Sequence, residues 1–253
     1  MVFGSSSIEE AKITGITPAV FIFNGKCELC PPYILLPTCL FGYCTGKRLW
    51  AFSTKTINII KKTKRIAIAN KESIICGWEL IQKELKKHKT EFIPVDSEHF
   101  SLWFALKYSS ISEIEKVYLT ASGGPLLKFS NLSSKKIKLS QALKHPTWSM
   151  GQKISIDSCT MMNKVFEVIE AKHLFNLSYN KISILTHPTS YIHAIVKFKN
   201  GLIKIVAHDT TMKIPIFNSI NTNNHLSIRT NNLDLKKLNP VSYTHLTLPT
   251  KNE

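Results

Sequence analysis

From Thr56 onward the apolar residues fall into regular periods that predict alternating helices and strands. Ile57–Lys62 reads as the end of a helix, Arg65–Ala69 as a buried strand, and Ser73–Lys89 as a helix whose inward stripe is Ile74, Trp78, Ile81 and Leu85. Thr90–Val95 is the next strand, so strand, helix and strand form a βαβ unit with a parallel pair. His99–Lys107 reads as a short helix, and Glu115–Ala121 as a strand running into Ser122-Gly-Gly-Pro125. Between His145 and Ala171 the pattern predicts a loop, a short strand and a helix starting near Ser158. In that helix Met162, Phe166, Ile169 and His173 form the buried stripe, and Asn163, Lys164 and Glu167 share a polar face. Ile182–Thr186 and Tyr191–Lys199 read as strands, and Asn200-Gly201 is a two-residue hairpin signal into Leu202–His208. The fold class is α/β, a parallel unit followed by a domain with a partly antiparallel sheet.

The flanks lack this regularity. Residues 1–56 begin without a basic segment, carrying Glu9 and Glu10, which argues against a secretory signal. The apolar runs Ala19–Phe23 and Tyr33–Cys44 are too short to span a membrane, and Pro37 breaks the longer one. Cys27, Cys30, Cys39 and Cys44 make a C-x2-C and a C-x4-C pair, a zinc pattern with a shorter gap than usual ribbons. Cys76 and Cys159 read as small buried helix residues of a reducing cytoplasm. Residues 218–240 are rich in Asn, Thr and Ser and read as a linker, while 241–253 look like translated adaptor sequence and are set aside.

At 253 residues, 43% hydrophobic, the chain can build one large domain or two modest ones. Its 33 Lys and Arg against 17 Asp and Glu give a net charge of +16, a balance that suits nucleic acid, a membrane surface or anionic metabolites. No arginine-rich block interleaves with aromatics, and the lysines of KKTKR (61–65) and KELKKHK (83–89) lie on predicted helix surfaces. A solvated basic surface accounts for them better than a nucleic-acid footprint.

Two stretches carry candidate chemistry. Phe92–His99 is an apolar strand ending in Asp96, Ser97 and Glu98, and alternation points both carboxylates the same way, as a hard cation such as Mg²⁺ or Mn²⁺ requires. Asn70, Lys71 and Glu72 follow a strand at the end where open α/β sheets bind ligands, although an N-cap at Ser73 with polar neighbours gives the same pattern. In the 145–171 stretch Ser158 sits at the positive N-terminal end of the predicted helix, which favours phosphate; a surface helix with a solvated face is the competing account.

The residues also carry a family resemblance. ANKES (69–73), PVDSEH (94–99), LTASGGP (119–125), HPTWSMGQKISIDSCTMMNK (145–164) and VIEAKHLF (168–175) resemble, in order and spacing, the 1-deoxy-D-xylulose 5-phosphate reductoisomerase family over about residues 57 to 217. Thr147 stands where the family usually has Asn, Val165 where it has Gly and Leu126 where it usually has Phe.

The resemblance implies the remnant of a Rossmann-like NADPH-binding domain at 57–96 and a catalytic domain at 97–217, after a non-matching segment at 1–56. It implies a cytoplasmic, divalent-metal-dependent oxidoreductase and isomerase that converts 1-deoxy-D-xylulose 5-phosphate to 2-C-methyl-D-erythritol 4-phosphate with NADPH, in the non-mevalonate synthesis of isoprenoid precursors. Asp96, Glu98 and Glu167 would hold Mg²⁺ or Mn²⁺. Ser97, Ser122, Ser158, Asn163 and Lys164 would bind the phosphorylated sugar, with Lys71, Glu98 and His145 as catalytic residues that also touch it. Asn70, Glu72 and Gly151 would contact the cofactor, and Trp148 and Met150 would form the apolar part of a lid. The family is expected to be homodimeric, without nucleic-acid or membrane partners. No glycine-rich dinucleotide turn occurs between Met1 and Thr56, so the sequence reads as an internal piece of a gene that binds metal and phosphate without useful NADPH turnover. An inert metal- and phosphate-binding piece and a basic nucleic-acid-binding module stand as alternative readings.

Overall fold

The computed structural model describes residues 19–22, 56–127, 138–145, 147–148, 151–221, 226–230 and 238. The four-cysteine pattern at Cys27, Cys30, Cys39 and Cys44, the lid residue Met150 and the tail 241–253 lie outside the described residues.

The first layer is a parallel sheet of β1 (Ala19–Ile22), β2 (Arg65–Ile68) and β3 (Glu91–Pro94), in that order, with Ala19 opposite Arg65 and Ile68 opposite Pro94. The run at Ala19 therefore supplies a strand, in a segment whose sequence predicted none. Between β2 and β3 runs α1 (Lys71–His88), whose buried Ile74, Ile81 and Leu85 pack with Ile59, Ile60, Ile66 and Ile68. Trp78, half-buried, meets Phe92 edge-on at 5.5 Å. The N-cap of α1 is Asn70, not Ser73: the Asn70 side chain accepts from the Ser73 N–H at 3.2 Å. Lys86, Lys87 and His88 sit where the helix dipole favours cations.

β3 stops at Pro94, and α2 (Ser97–Leu106) starts almost at once. Asp96 takes the N-cap position and Glu98 the first turn, so helix geometry aims these carboxylates rather than strand alternation. The second layer is a mixed sheet in the order β5-β4-β6-β7, comprising β4 (Ile114–Ala121), β5 (Ile182–Thr186), β6 (Ile192–Phe198) and β7 (Ile203–Ala207). β4 and β5 are parallel and the other pairings antiparallel, joined at β6 and β7 by a turn in which Gly201 has φ +87°. Leu102, Val117, Leu119, Phe175, Ala194 and Val196 fill the core beneath this sheet.

Four α-helices follow α2 among the described residues: α3 (Leu139–Ala142), α4 (Gln152–Cys159), α5 (Met162–Phe175) and α6 (Lys213–Ile220). The expected short strand before Ser158 is instead α4. Ile154 and Ile156 alternate with polar residues, but Gly151 opens a helix whose first turn is closed by the Ser155 N–H and hydroxyl, both donating to the Gly151 carbonyl. The chain breaks at Met161 (φ 62°) before α5 begins. The predicted faces of α5 are not the observed ones: Lys164 and Glu167 are buried together with Glu170, Ala171 and Phe175, while Phe166, Ile169 and His173 are only half-buried and Met162 is 41% exposed. Cys76 is exposed and Cys159 partly so, contrary to the expectation of two buried thiols.

The two layers meet along α1 and α5, and Leu174 packs against both cores. α6 returns to the first layer, where Met212, Ile216 and Ile220 cover Ala67 and Val95. No helix among the described residues is long and apolar enough to cross a membrane.

The end of β4 is pinned to α4 at Gly124, whose φ is +68° and whose absent Cβ would stand 2.7 Å from the Ser158 carbonyl oxygen. Gly124→Ala is expected to lower unfolding free energy by about 1–3 kcal/mol, through left-handed strain and displacement of α4. Denaturant unfolding of the two proteins measures it, and equal midpoints would refute the close approach.

Candidate active site

The buried face of α5 is charged, and everything at the site follows from how those charges are answered. From α1, the Lys71 ammonium reaches Asn163 Oδ1 at 2.9 Å, Glu167 Oε1 at 3.1 Å and Asp96 Oδ2 at 2.7 Å. Lys164 on α5 reaches Glu98 Oε1 at 3.1 Å and also contacts Glu167 Oε2 and the Thr120 carbonyl. Asn163 donates to Glu167 Oε1, and Ser97 donates to Glu98 Oε2 at 2.5 Å. Seven of the expected residues, Lys71, Asp96, Ser97, Glu98, Asn163, Lys164 and Glu167, are thus one cluster fed by the first turns of α1, α2 and α5 and the end of β4.

One carboxylate oxygen from each of Asp96, Glu98 and Glu167 lies within 4.8 Å of the others. Three such groups in a dry site repel one another unless cations intervene, and here two ammoniums do. Burial alone would depress the Lys71 pKa, but the carboxylates of Asp96, Glu167 and Glu170 outweigh it and hold the ammonium well above its ordinary range. Lys164 is raised likewise, burial being outweighed by Glu167 and Glu98. Burial pushes Asp96 up, yet Lys71 and His99 bring it well below the usual carboxylate range. Glu98 is raised, by burial first and by Glu167 next. Asp96 Oδ2 and Glu167 Oε2 are each answered by an ammonium, from Lys71 and Lys164, the positions a bound cation would take over. All-oxygen donors of this kind fit a hard divalent cation.

His99 and Glu170 also belong to the site, and the sequence reading did not single them out. His99 is fully buried, and its Nε2–H donates to the Glu167 carbonyl at 2.8 Å. Its Nδ1 stands 3.4 Å from both Asp96 Oδ2 and Glu170 Oε2. Burial would lower the imidazole pKa, but Glu170 and Asp96 bring it up to about 9. Glu170 is raised to about 8, chiefly by burial. The available signal was spacing: Glu167 and Glu170 are three apart on one helix, as are Asp96 and His99 at the start of another.

A second group flanks the cluster. His145 Nδ1 accepts from the backbone N–H of Thr147 at 3.2 Å and of Trp148 at 3.0 Å, so the neutral ring carries its proton on Nε2 and donates to Ser122 Oγ at 2.9 Å. The Gly124 N–H also donates to that oxygen, at 3.1 Å, leaving the Ser122 hydroxyl proton for an anion. Trp148 is half-buried with its edge on His193, 6.1 Å between centroids. Ser158 is half-buried near the end of α4, not at the start of a helix as expected; its carbonyl faces Gly124. Of the expected cofactor contacts, Asn70 caps α1, Glu72 pairs with Lys153 at 2.6 Å, and Gly151 is exposed at the start of α4.

Two outcomes are expected of this geometry. Saturating Mn²⁺ should raise the melting temperature, since a ligand at a hundredfold excess over Kd stabilises by about 2.7 kcal/mol. Glu167→Gln, compared with its own metal-free form, should lose that shift, and an unchanged shift would remove Glu167 from the cation's ligands. For His145, burial holds the folded pKa below the ordinary histidine value. The neutral ring and its two amide bonds therefore persist above that value and are lost as pH falls through the folded pKa. Protection factors of the Thr147 and Trp148 amides should drop about tenfold on acidification through the lowered His145 pKa, and pH-independent protection would count against the assigned tautomer.

Comparison with known proteins adds an independent line. Residues 92–175 match the family described as 1-deoxy-D-xylulose 5-phosphate reductoisomerase C-terminal domain. The 1-deoxy-D-xylulose 5-phosphate reductoisomerase of Pelagibacter ubique (strain HTCC1062) is 63% identical over 190 residues, covering 74% of this chain and 48% of that protein. The structure of the enzyme from Zymomonas mobilis in complex with NADPH superposes with a TM-score of 0.66 at 32% identity, over 75% of this chain and 49% of that one. A DOX-P reductoisomerase in complex with NADPH, fosmidomycin and magnesium gives a TM-score of 0.68 at 31% identity, over 84% of this chain and 58% of that one. The chain spans about half the length of the curated relatives it matches. Motifs, fold and these likenesses agree: residues 92–175 match the C-terminal domain of that family, and over the part it shares with them the chain is similar to 1-deoxy-D-xylulose 5-phosphate reductoisomerases.

Proposed function

We propose that this chain carries the metal- and substrate-binding half of an enzyme that isomerises 1-deoxy-D-xylulose 5-phosphate and reduces the resulting aldehyde with NADPH to 2-C-methyl-D-erythritol 4-phosphate. The observation that supports it most is the convergence of Asp96, Glu98 and Glu167 from two helix starts onto one buried point beside two ammoniums. The neighbouring structures with NADPH, fosmidomycin and magnesium support the cofactor and the metal.

In this reading Asp96, Glu98 and Glu167 hold Mg²⁺ or Mn²⁺, which when bound polarises a carbonyl oxygen and stabilises oxyanion character. Lys71 and Lys164, now paired with those carboxylates, turn their ammoniums to substrate oxygens, and Asn163 adds an amide. Ser122 donates its hydroxyl proton to the phosphate, held in place by the His145 Nε2–H and the Gly124 N–H. Ser97 fixes the Glu98 carboxylate and Ser158 completes the phosphate side. Trp148 closes from the loop between His145 and Gly151 and excludes water. Asn70, Glu72 and Gly151 face the nicotinamide cofactor, Glu72 exchanging its contact with Lys153. A homodimer fits the edge strand β7, where Ile203 and Ile205 are 56% and 57% exposed and Leu202 just before it is 66% exposed.

Calorimetric titration with fosmidomycin tests the site. Binding is expected in Mg²⁺, lost on chelation, and weakened at least about a hundredfold by Glu98→Gln, the scale of two charge-assisted bonds. Binding indifferent both to chelation and to Glu98→Gln would overturn the reading.

A further inference from the structure

Outside the charged cluster, three rings form a row that the proposed function uses at one end only. Trp148 meets His193 edge to face, with 6.1 Å between centroids and 72° between planes. His193 in turn stacks on His208, with centroids 3.7 Å apart and planes 15° from parallel. Both histidines are buried, whereas Trp148 is half-buried. The indole therefore rests on a pair of imidazoles that solvent does not reach.

The backbone sets the direction of each ring. Ile192 pairs with Ala207 and Ala194 with Val206, so His193 is the extra residue of a bulge in β6, a device that re-aims one side chain. Its Nε2–H donates to the His208 carbonyl at 3.3 Å, which leaves Nδ1 without a proton and fixes the tautomer of the neutral ring. His208 is held from its own side: its backbone N–H donates to the Tyr191 carbonyl at 2.9 Å, and its Nδ1–H to the Asp209 carbonyl at 2.8 Å. Burial, and His208 after it, keep the His193 pKa well below the ordinary histidine value. Burial lowers His208 as well, against the Asp209 carbonyl and carboxylate. The pair is thus two uncharged rings in van der Waals contact.

We propose that His208 is a positioning residue: it backs the His193 ring and thereby sets where the Trp148 indole rests beside the site. The inference deepens the proposed function, and rests on it only for the role of Trp148 over a bound ligand. The flat face of His208 carries the effect, so a phenyl ring at the same place serves as well, while a methyl group does not.

Fluorescence of the whole 253-residue chain tests it, with the Trp148 emission isolated as the difference from Trp148→Phe. His208→Ala is expected to shift that emission to the red, as the indole loses its seat, and His208→Phe to leave it in place. The rise in melting temperature with Mn²⁺, which reads the three carboxylates, should survive in both variants; its loss in His208→Ala would mark general damage and overturn the proposal. Fosmidomycin binding in Mg²⁺ should weaken about three- to tenfold in His208→Ala, the range one aromatic pair spans, and return in His208→Phe. Unchanged Trp148 emission in folded His208→Ala would overturn the proposal, as would a red shift of equal size in His208→Phe. A red shift in His208→Ala alone, with unaltered fosmidomycin affinity, would uphold the role of His208 and remove Trp148 from the proposed function instead. In the unmutated chain, ¹⁵N spectra of the imidazoles need no variant to fold: a His193 ring with its proton on Nδ1, or charged at neutral pH, would overturn the proposal.

Discussion

The constraint on which this fold depends is that α5 turns charge inward. Lys164, Glu167 and Glu170 lie on its buried face, and each would be ruinous alone in a medium where desolvating an ion costs several kcal/mol. They are tolerable because Lys71, Asp96, Glu98 and His99 arrive from the starts of two other helices with matching signs. The first turns of α1 and α2 are therefore fixed in position by electrostatics as much as by their apolar stripes. Such a network gains little net stability over a hydrophobic one, but breaking any member leaves its partner stranded. What it supplies is placement.

That placement also explains the division of labour between the layers. The parallel sheet and α1 present Lys71 and Asn70 just beyond the ends of β2, where strand carbonyls are no longer paired and side chains can meet a ligand. The mixed sheet brings Thr120 and Ser122 from the end of β4. Leu174, in contact with both cores, keeps the two layers in register at the point where their polar ends face each other.

Much of this was legible in the sequence. The strands β2, β3, β4 and β6 and most of the stripe of α1 follow from apolar period alone; β5 was placed by it too, although its Ile184 and Leu185 are only half-buried. The site residues were legible only through their motifs. Periodicity misread α5 because Met162, Phe166 and Ile169 outrank lysine and glutamate on any hydrophobic scale, and a helix that buries its charges inverts the rule by which its face is chosen. α4 was misread because Ile154 and Ile156 alternate over too few residues to separate a strand from a helix, and the deciding closure at Gly151 is a backbone event. β1 went unrecognised because four apolar residues predict a strand only when a partner strand is known.

The break between α4 and α5 has its own meaning. Met161 takes a left-handed backbone that any side chain but glycine adopts at a cost, and it separates a helix carrying Ser158 and Lys153 from one carrying Asn163, Lys164 and Glu167. Had a single helix run from Gln152 to Phe175, every change in the direction of one group would have swung the other. With a joint of one residue between them, the two arms are geared separately: mutation can redirect Ser158 and Lys153 by tilting the shorter arm while the longer one stays clamped in its bed of opposite charges.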